Sequence, residues 1–311
     1  MPHPLQSGVI PAPIMPFHEN AAVDWATMER YVGQMASAGI SGLAMNMAAA
    51  EATALEHSEQ IEVLRRSKAV LAGAVPLVSG LIAPYTAGAV NHAKRLVDAG
   101  AEALVVFPPL PTFLSKPLPT SIVVDYHQAV MEAVDVPIIA FQTANAGYPV
   151  GTIKALGDLG RVVAIKDAAF DIDRTWEIVE EARETDGRVT VLTGNDTFVL
   201  EALLMGCDGA LIGLAGAFTA EIVRMQKLAA EGKATEAYAI WNEIGPIARL
   251  CWSNPLRDYR PRMKYLLMRQ GIIPTDVTRA PQTRITSDDR RKLDALFETH
   301  GFDQPRYRPQ G

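Results

Sequence analysis

Eight short apolar runs, each followed by a polar stretch or one of helical periodicity, constrain this chain more than any other feature of its sequence. The runs are VIPAPIM (9–15), GLAMNM (42–47), AVPLVSG (74–80), ALVVF (103–107), VPIIAF (136–141), VVAIK (162–166), VTVLTG (189–194) and GALIGL (209–214). The intervening segments include DWATMERYVGQMASAG (24–39), SEQIEVLRRSKAVLAG (58–73) and AGAVNHAKRLVDAG (87–100). In the first, Asp24 stands where an N-cap is wanted, and Met28, Val32 and Met35 recur at helical spacing. Strands alternating with helices call for a parallel sheet, because a parallel neighbour is reached only by a crossover. Eight such units match a closed (β/α)8 barrel better than an open doubly wound sheet. Three further helical patterns, at 234–250, 261–272 and 287–301, exceed what the barrel needs. The expected division is an α/β chain with a (β/α)8 barrel over 1–232 and a C-terminal helical region over 233–311 packed on it.

Composition narrows the class of partner. Of 311 residues, 49% are hydrophobic, which supplies a large core and rules against disorder. The net charge is −6 with Lys and Arg scattered, so nucleic acid is not an expected partner. Cys207 and Cys251 fit neither a disulfide framework nor a zinc spacing, and are read as buried small apolar residues in a reduced, cytoplasmic setting. The N-terminus lacks the basic segment of a signal peptide. The uncharged run 69–90 has, apart from its charge-free length, nothing of a membrane span, because Gly73, Pro76, Gly80, Pro84 and Gly88 cut it into strand, loop and helix start. His18, His57, His92 and His127 show no metal-ligand spacing, and no glycine-rich phosphate loop is present.

Lys166 is the residue that asks for a reason. It closes the apolar run VVAIK, and buried parallel strands otherwise read as continuous Val, Ile and Leu. Active sites of (β/α)8 barrels form where strands end and βα loops begin, so its amine is expected at the barrel mouth. An apolar mouth disfavours the ammonium and leaves a neutral amine able to attack a carbonyl and form a Schiff base. The protonated imine is an electron sink that opens C–C cleavage, C–C formation and elimination of water. The bland alternative is a lysine that snorkels to solvent or pairs with Asp167.

Taken together, GVIPAPIMPF near the start, Glu51 after the second run, FPP at 107–109, VVAIKDAAFD at 162–171, VLTGND at 191–196 and GCDGALIG at 206–213 resemble the dihydrodipicolinate synthase/N-acetylneuraminate lyase family. The resemblance extends from about Gly8 into the C-terminal helices. It implies a TIM barrel with a C-terminal helical extension, usually a homotetramer, performing class I aldolase-type chemistry on a small-molecule 2-oxo acid without metal or organic cofactor. Lys166 matches the imine-forming lysine. Gly194 and Leu211 match positions whose backbone lines the substrate pocket, and Glu51 matches a position that is usually structural.

Several positions depart from the family pattern. Where Gly-Thr-Thr-Gly-Glu usually follows the second strand, this chain has Met47-Ala48-Ala49-Ala50-Glu51, so only the backbone N–H groups of Ala49 and Ala50 remain to hold a carboxylate. The proton-transfer tyrosine of the fifth strand aligns with Phe141. A second tyrosine falls near Leu110 and Pro111, and the arginine expected beyond the fifth strand is missing from TANAGYPV. On these losses genuine dihydrodipicolinate synthase activity is not expected. Asn46 and Gln142, at the ends of strands two and five, are candidate amides facing the mouth, or else satisfied polar residues at strand ends. Thr143, Asn145 and Tyr148 are candidate polar contacts from the following loop. Phe107 and Phe113, in a segment where the family's neighbouring subunit approaches, are read as interface packing rather than pocket walls. Arg257, Arg260 and Arg262 are read as helix or interface contacts rather than a substrate clamp.

Two functions follow. One is a Schiff-base lyase of aldolase or dehydratase type on a 2-oxo acid, for which a 2-keto-3-deoxy sugar acid is a candidate. The other is a non-catalytic or regulatory 2-oxo-acid-binding barrel that keeps the fold and the lysine.

Overall fold

In the computed structural model, which describes residues 3–113 and 118–302, the eight apolar runs are eight strands. They are β1 (Gly8–Pro11), β2 (Leu43–Met45), β3 (Leu77–Leu81), β4 (Ala103–Val106), β5 (Ile138–Thr143), β6 (Val162–Ala168), β7 (Thr190–Thr193) and β8 (Gly209–Ile212). Every ladder is parallel, and the order runs β1-β8-β7-β6-β5-β4-β3-β2. At the seam between β1 and β2 the Ser41 amide donates to the Val9 carbonyl at 2.9 Å. This is a (β/α)8 barrel with helices α1 (Trp25–Ala36), α2 (His57–Leu71), α3 (Thr86–Asp98), α4 (Thr120–Ala133), α5 (Thr152–Asp158), α6 (Ile172–Arg183), α7 (Val199–Met205) and α8 (Thr219–Ala230) around it. Asp24 does cap α1, its carboxylate accepting from the Thr27 amide at 3.0 Å.

Side chains of a strand point alternately to its two faces, and that alternation sorts the core into two layers. Ile10, Ala44, Val78, Val105, Ile139, Ala164, Leu192 and Leu211 fill the barrel interior. Their neighbours, among them Leu104, Ile138, Ile165, Val191 and Ile212, face the helices. The bottom of the barrel is plugged from the N-terminus. Leu5 enters the inner layer, and the Gln6 amide donates to the carbonyls of Val163, Gly187 and Arg188.

Past α8 the chain forms α9 (Ala234–Cys251), α10 (Tyr259–Arg269) and α11 (Ser287–His300). Two fully buried cations on α10 fix its place. The Arg262 guanidinium donates to the carbonyls of Cys251 (3.2 Å) and Ser253 (2.6 Å) and pairs with Asp289 of α11 at 2.9 Å. Lys264 pairs with Glu51, in the turn after β2, at 2.6 Å and donates to the Val277 carbonyl. A buried ion pair is tolerated only when such further hydrogen bonds satisfy both groups, so this pair marks where α10 must dock. Together they hold the start of α10 over the end of the barrel at which β2 finishes.

Cys207 and Cys251 are buried free thiols. Among the described residues no helix is long and apolar enough to cross a membrane, and no group of three His, Cys, Asp or Glu side chains is placed to hold a metal ion.

Candidate active site

The inward face of β6 carries Ala164 and then Lys166, and the strand continues to Ala168, two residues beyond the end expected from the apolar run. Lys166 is thus one layer above the packed interior, 9% exposed, with its register partner Phe141 beside it on β5. The amine lies 4.5 Å from the centre of the Phe141 ring, which packs edge-on against Phe107 at 4.7 Å. On the other side is Gly194, after β7. A Cβ there would come within 2.7 Å of Lys166 Cε, so the absence of a side chain at 194 makes the room in which the lysine lies.

Above these residues is a cavity of about 320 Å3. Its walls are mostly apolar, with Met47, Ala48, Ala49, Phe107, Phe141 and Trp252 among them, and its polar groups are few: Lys166, Asp196, Thr143, Asn145, Tyr259 and Arg260. That composition is the usual one for a small-molecule site. Burial pushes the Lys166 amine below the ordinary lysine range, and the Asp196 carboxylate nearby acts in the opposite sense. Asp196 is itself pushed up by burial, against hydrogen bonds from the Leu214 and Gly213 amides and the lysine charge, with Leu214 N 2.7 Å from its Oδ1. Burial therefore works against both charges, and a lysine whose ammonium form is disfavoured is the kind that can act as a nucleophile.

The C-terminal region supplies part of the wall. Trp252, just past α9, lies over Gly213, where an added Cβ would meet its ring at 3.0 Å. The Tyr259 ring stacks on Trp252, with centroids 5.4 Å apart and planes 17° from parallel. Arg260 Nε donates to the Ala48 carbonyl at 2.6 Å, and its guanidinium lies 4.9 Å from the Tyr259 ring centre. Of the three arginines read as helix or interface contacts rather than a substrate clamp, Arg260 borders the cavity, whereas Arg262 is locked in the core and Arg257 is exposed. Phe107 and Phe113 also line the cavity, contrary to their reading as interface packing alone. Residues 114–117 of that segment lie outside the described residues.

Of the other expected site residues, Ala49 and Gly194 border the cavity and Phe141 forms its floor. Ala50 does not; its N–H donates to the Met47 carbonyl at 3.0 Å, closing the short turn Ala48–Ala50. The N–H groups of Ala48 and Ala49 precede any carbonyl of that turn and are the ones left for an anion. Leu211 faces inward but one layer deeper, in the packed interior, and Gly213 takes its place at the cavity. Gln142 points to the opposite face of β5 from Phe141, donating to Asp167 Oδ1 at 2.7 Å and accepting from the Tyr148 amide at 3.0 Å. Asn46 has left-handed backbone (φ 53°), which turns its side chain away from the mouth to donate to Ser79 Oγ and the Gln60 carbonyl, both at 3.2 Å. Tyr148 is likewise engaged elsewhere, donating to the Phe141 carbonyl at 3.0 Å. Glu51 is structural, held by Lys264 and by the Arg279 amide at 3.0 Å.

Lys166 does not pair with Asp167. Asp167 faces the helix layer and accepts from Gln142, the Ala169 amide, Thr175 (2.7 Å) and Asn195 (2.9 Å). That network fastens the outer face of β6 and thereby fixes the direction of the neighbouring lysine. Asp196 and Tyr259 were given no part by sequence reasoning. Asp196 lay within the quoted VLTGND, and its position two residues after Gly194 was the available signal.

A closed parallel barrel with a buried lysine opening into an apolar cavity at its strand ends defines a class of protein, the (β/α)8 barrels with a lysine at the mouth. A family model described as the dihydrodipicolinate synthetase family matches residues 5–300, and the chain belongs to that family. Curated relatives include 4-hydroxy-tetrahydrodipicolinate synthase of Haloarcula marismortui, 29% identical over 306 residues and covering 95% of each chain. The synthase of the same name from Chlorobium phaeovibrioides is 29% identical over 93% of this chain and 95% of its own. Among solved structures, the dihydrodipicolinate synthase of Acinetobacter baumannii complexed with pyruvate superimposes with a TM-score of 0.85 at 24% identity, covering 95% of this chain and 99% of that one. At that identity the superposition speaks for the fold. The names of the relatives lend no support to the expectation that synthase activity is absent.

Proposed function

We propose that the protein is a Schiff-base-forming lyase that acts on a 2-oxo acid through Lys166. The observation that carries this reading is the buried lysine whose amine opens into the cavity, with room made for it by Gly194 and its ammonium form disfavoured by burial. The free amine attacks the 2-oxo carbon; loss of water gives the protonated imine, and the charge on nitrogen then accepts the electron pair of a bond broken at the adjacent carbon. The apolar walls exclude bulk water from that intermediate. An anionic substrate is supported by the free N–H groups of the Ala48–Ala49 turn and by Arg260 beside it, which pairs with no Asp or Glu among the described residues. Family membership and the synthases among its relatives support lyase chemistry on pyruvate as one candidate, with 2-keto-3-deoxy sugar acids as another.

Borohydride trapping with pyruvate and a panel of 2-keto-3-deoxy sugar acids, followed by intact mass and peptide mapping, tests the reading. A substrate-dependent adduct on Lys166 that Lys166→Ala abolishes is the expected result. A coupled assay with pyruvate and aspartate semialdehyde, run in parallel, measures synthase activity directly. If no 2-oxo acid gives an adduct at saturating concentration, the lyase reading falls and a binding barrel takes its place.

A further inference from the structure

An imine at Lys166 needs a group to move protons, and apart from the Asp196 carboxyl, which is held by the Leu214 amide, the floor of the cavity does not provide one. Phe141 has no hydroxyl, and the amides of Gln142 and Asn46 are turned out of the mouth. Side-chain hydroxyls among the described residues lining the cavity belong to Thr143 and Tyr259. An alcohol relays a proton but does not hold the negative charge left behind, whereas a phenol can do so beside a cation; burial pushes the Tyr259 phenol up to about 12, and the Arg260 charge acts against that rise. Tyr259 has that cation: the Arg260 guanidinium lies 4.9 Å from its ring and is anchored to the Ala48 carbonyl. Its ring is pinned by the stack on Trp252, and its helix by the buried Arg262 and Lys264.

We infer that Tyr259, delivered from the first turn of α10, is the proton-transfer residue of the site. This rests on the imine reading above. After Lys166 has added to the 2-oxo carbon, the C2–O bond of the carbinolamine breaks as the Tyr259 phenol gives its proton to the leaving hydroxyl. Water departs, a protonated imine and a phenolate remain, and Arg260 balances the phenolate charge. The phenolate then takes a proton from C3; the C–H pair becomes the C2=C3 bond, and the C2=N pair returns to nitrogen. The products of the two steps are water, a neutral enamine and the regenerated phenol.

Tyr259→Phe keeps the ring and its stack and removes only the hydroxyl. Two readouts separate proton transfer from a role in shaping the pocket: exchange of the C3 hydrogens of pyruvate with deuterium from solvent, and the final extent, as distinct from the rate, of borohydride adduct on Lys166. The expected result is a loss of exchange of about 100-fold or more, with the adduct still formed in full on long incubation. Exchange at the wild-type rate in Tyr259→Phe overturns the assignment while leaving the lyase reading intact. Loss of the adduct along with exchange also overturns it, because the tyrosine then serves the shape of the pocket. Absence of any adduct in the wild-type protein overturns the lyase reading itself and this inference with it.

Discussion

Two lysines are buried among the described residues, and their surroundings differ. Burial pushes both amines below the ordinary lysine range. Lys264 is fully enclosed, paired with Glu51 at 2.6 Å, bonded to the Val277 carbonyl, and 3.9 Å from the centre of the Phe17 ring. Lys166 borders an open cavity, over the Phe141 ring, with Asp196 as its charged neighbour. A depressed pKa therefore does not distinguish a reactive lysine from a structural one. Access and unspent bonding capacity do: Lys264 has its needs met by protein, and Lys166 has space for a ligand to meet them.

The sharpest way to break the comparison is to remove each lysine. Lys166→Ala should abolish the borohydride adduct completely and cost less stability than loss of Lys264, because its buried neighbour Asp196 keeps the hydrogen bond from the Leu214 amide. Lys264→Met should cost about 3–5 kcal/mol in equilibrium unfolding, since it leaves Glu51 buried without its cation. Adding Glu51→Leu to that variant should recover most of the loss. A double variant no more stable than Lys264→Met would show that the cation is held by something other than the carboxylate.

Gly194→Ala sharpens the same contrast from the side of space. The new Cβ would stand 2.7 Å from Lys166 Cε, against the strand backbone, so the lysine must move. A displacement of that kind should slow adduct formation by about 100-fold without removing the amine. The rate of trapping under pre-steady-state conditions is the measurement; an unchanged rate would mean that the lysine tolerates displacement.

The smallest effect concerns charge. Neutral amine is the attacking form, so trapping should be fastest above the folded-state pKa of Lys166 and should fall as the pH drops through it. Because burial depresses that pKa, the midpoint should lie below 10.5. Asp196 favours the ammonium, so Asp196→Asn should move the midpoint to lower pH and speed trapping roughly threefold to tenfold below it. A midpoint that moves upward would reverse the part assigned to this carboxylate.

The barrel and Lys166 were legible because both are written in local pattern: apolar runs at regular spacing, and a charge where such a run should have none. Some of the errors were also local. Gln142 follows Phe141 on one strand, and adjacent residues of a strand face opposite ways, so the two cannot share the mouth. Leu211 and Gly213 share a face but stand at different heights. Asn46 was beyond such reasoning, because nothing nearby announces the left-handed backbone that turns it away. Tyr259 and Arg260 were harder still. They belong to a helix whose position is set by Lys264 reaching Glu51, a contact between segments far apart in sequence, and the pattern at 261–272 specifies a helix without saying where it docks.

That docking has a consequence for the order in which the site comes into being. Trp252, Tyr259 and Arg260 all follow the last strand of the barrel, so a chain emerging from the ribosome completes β8 before any of them exists. During that interval the cavity above Lys166 lacks these three lining residues, and its mouth is correspondingly wider. The roof of the site is thus the last part of it to be made, after the strands that carry Lys166 and its neighbours Phe141 and Gly194.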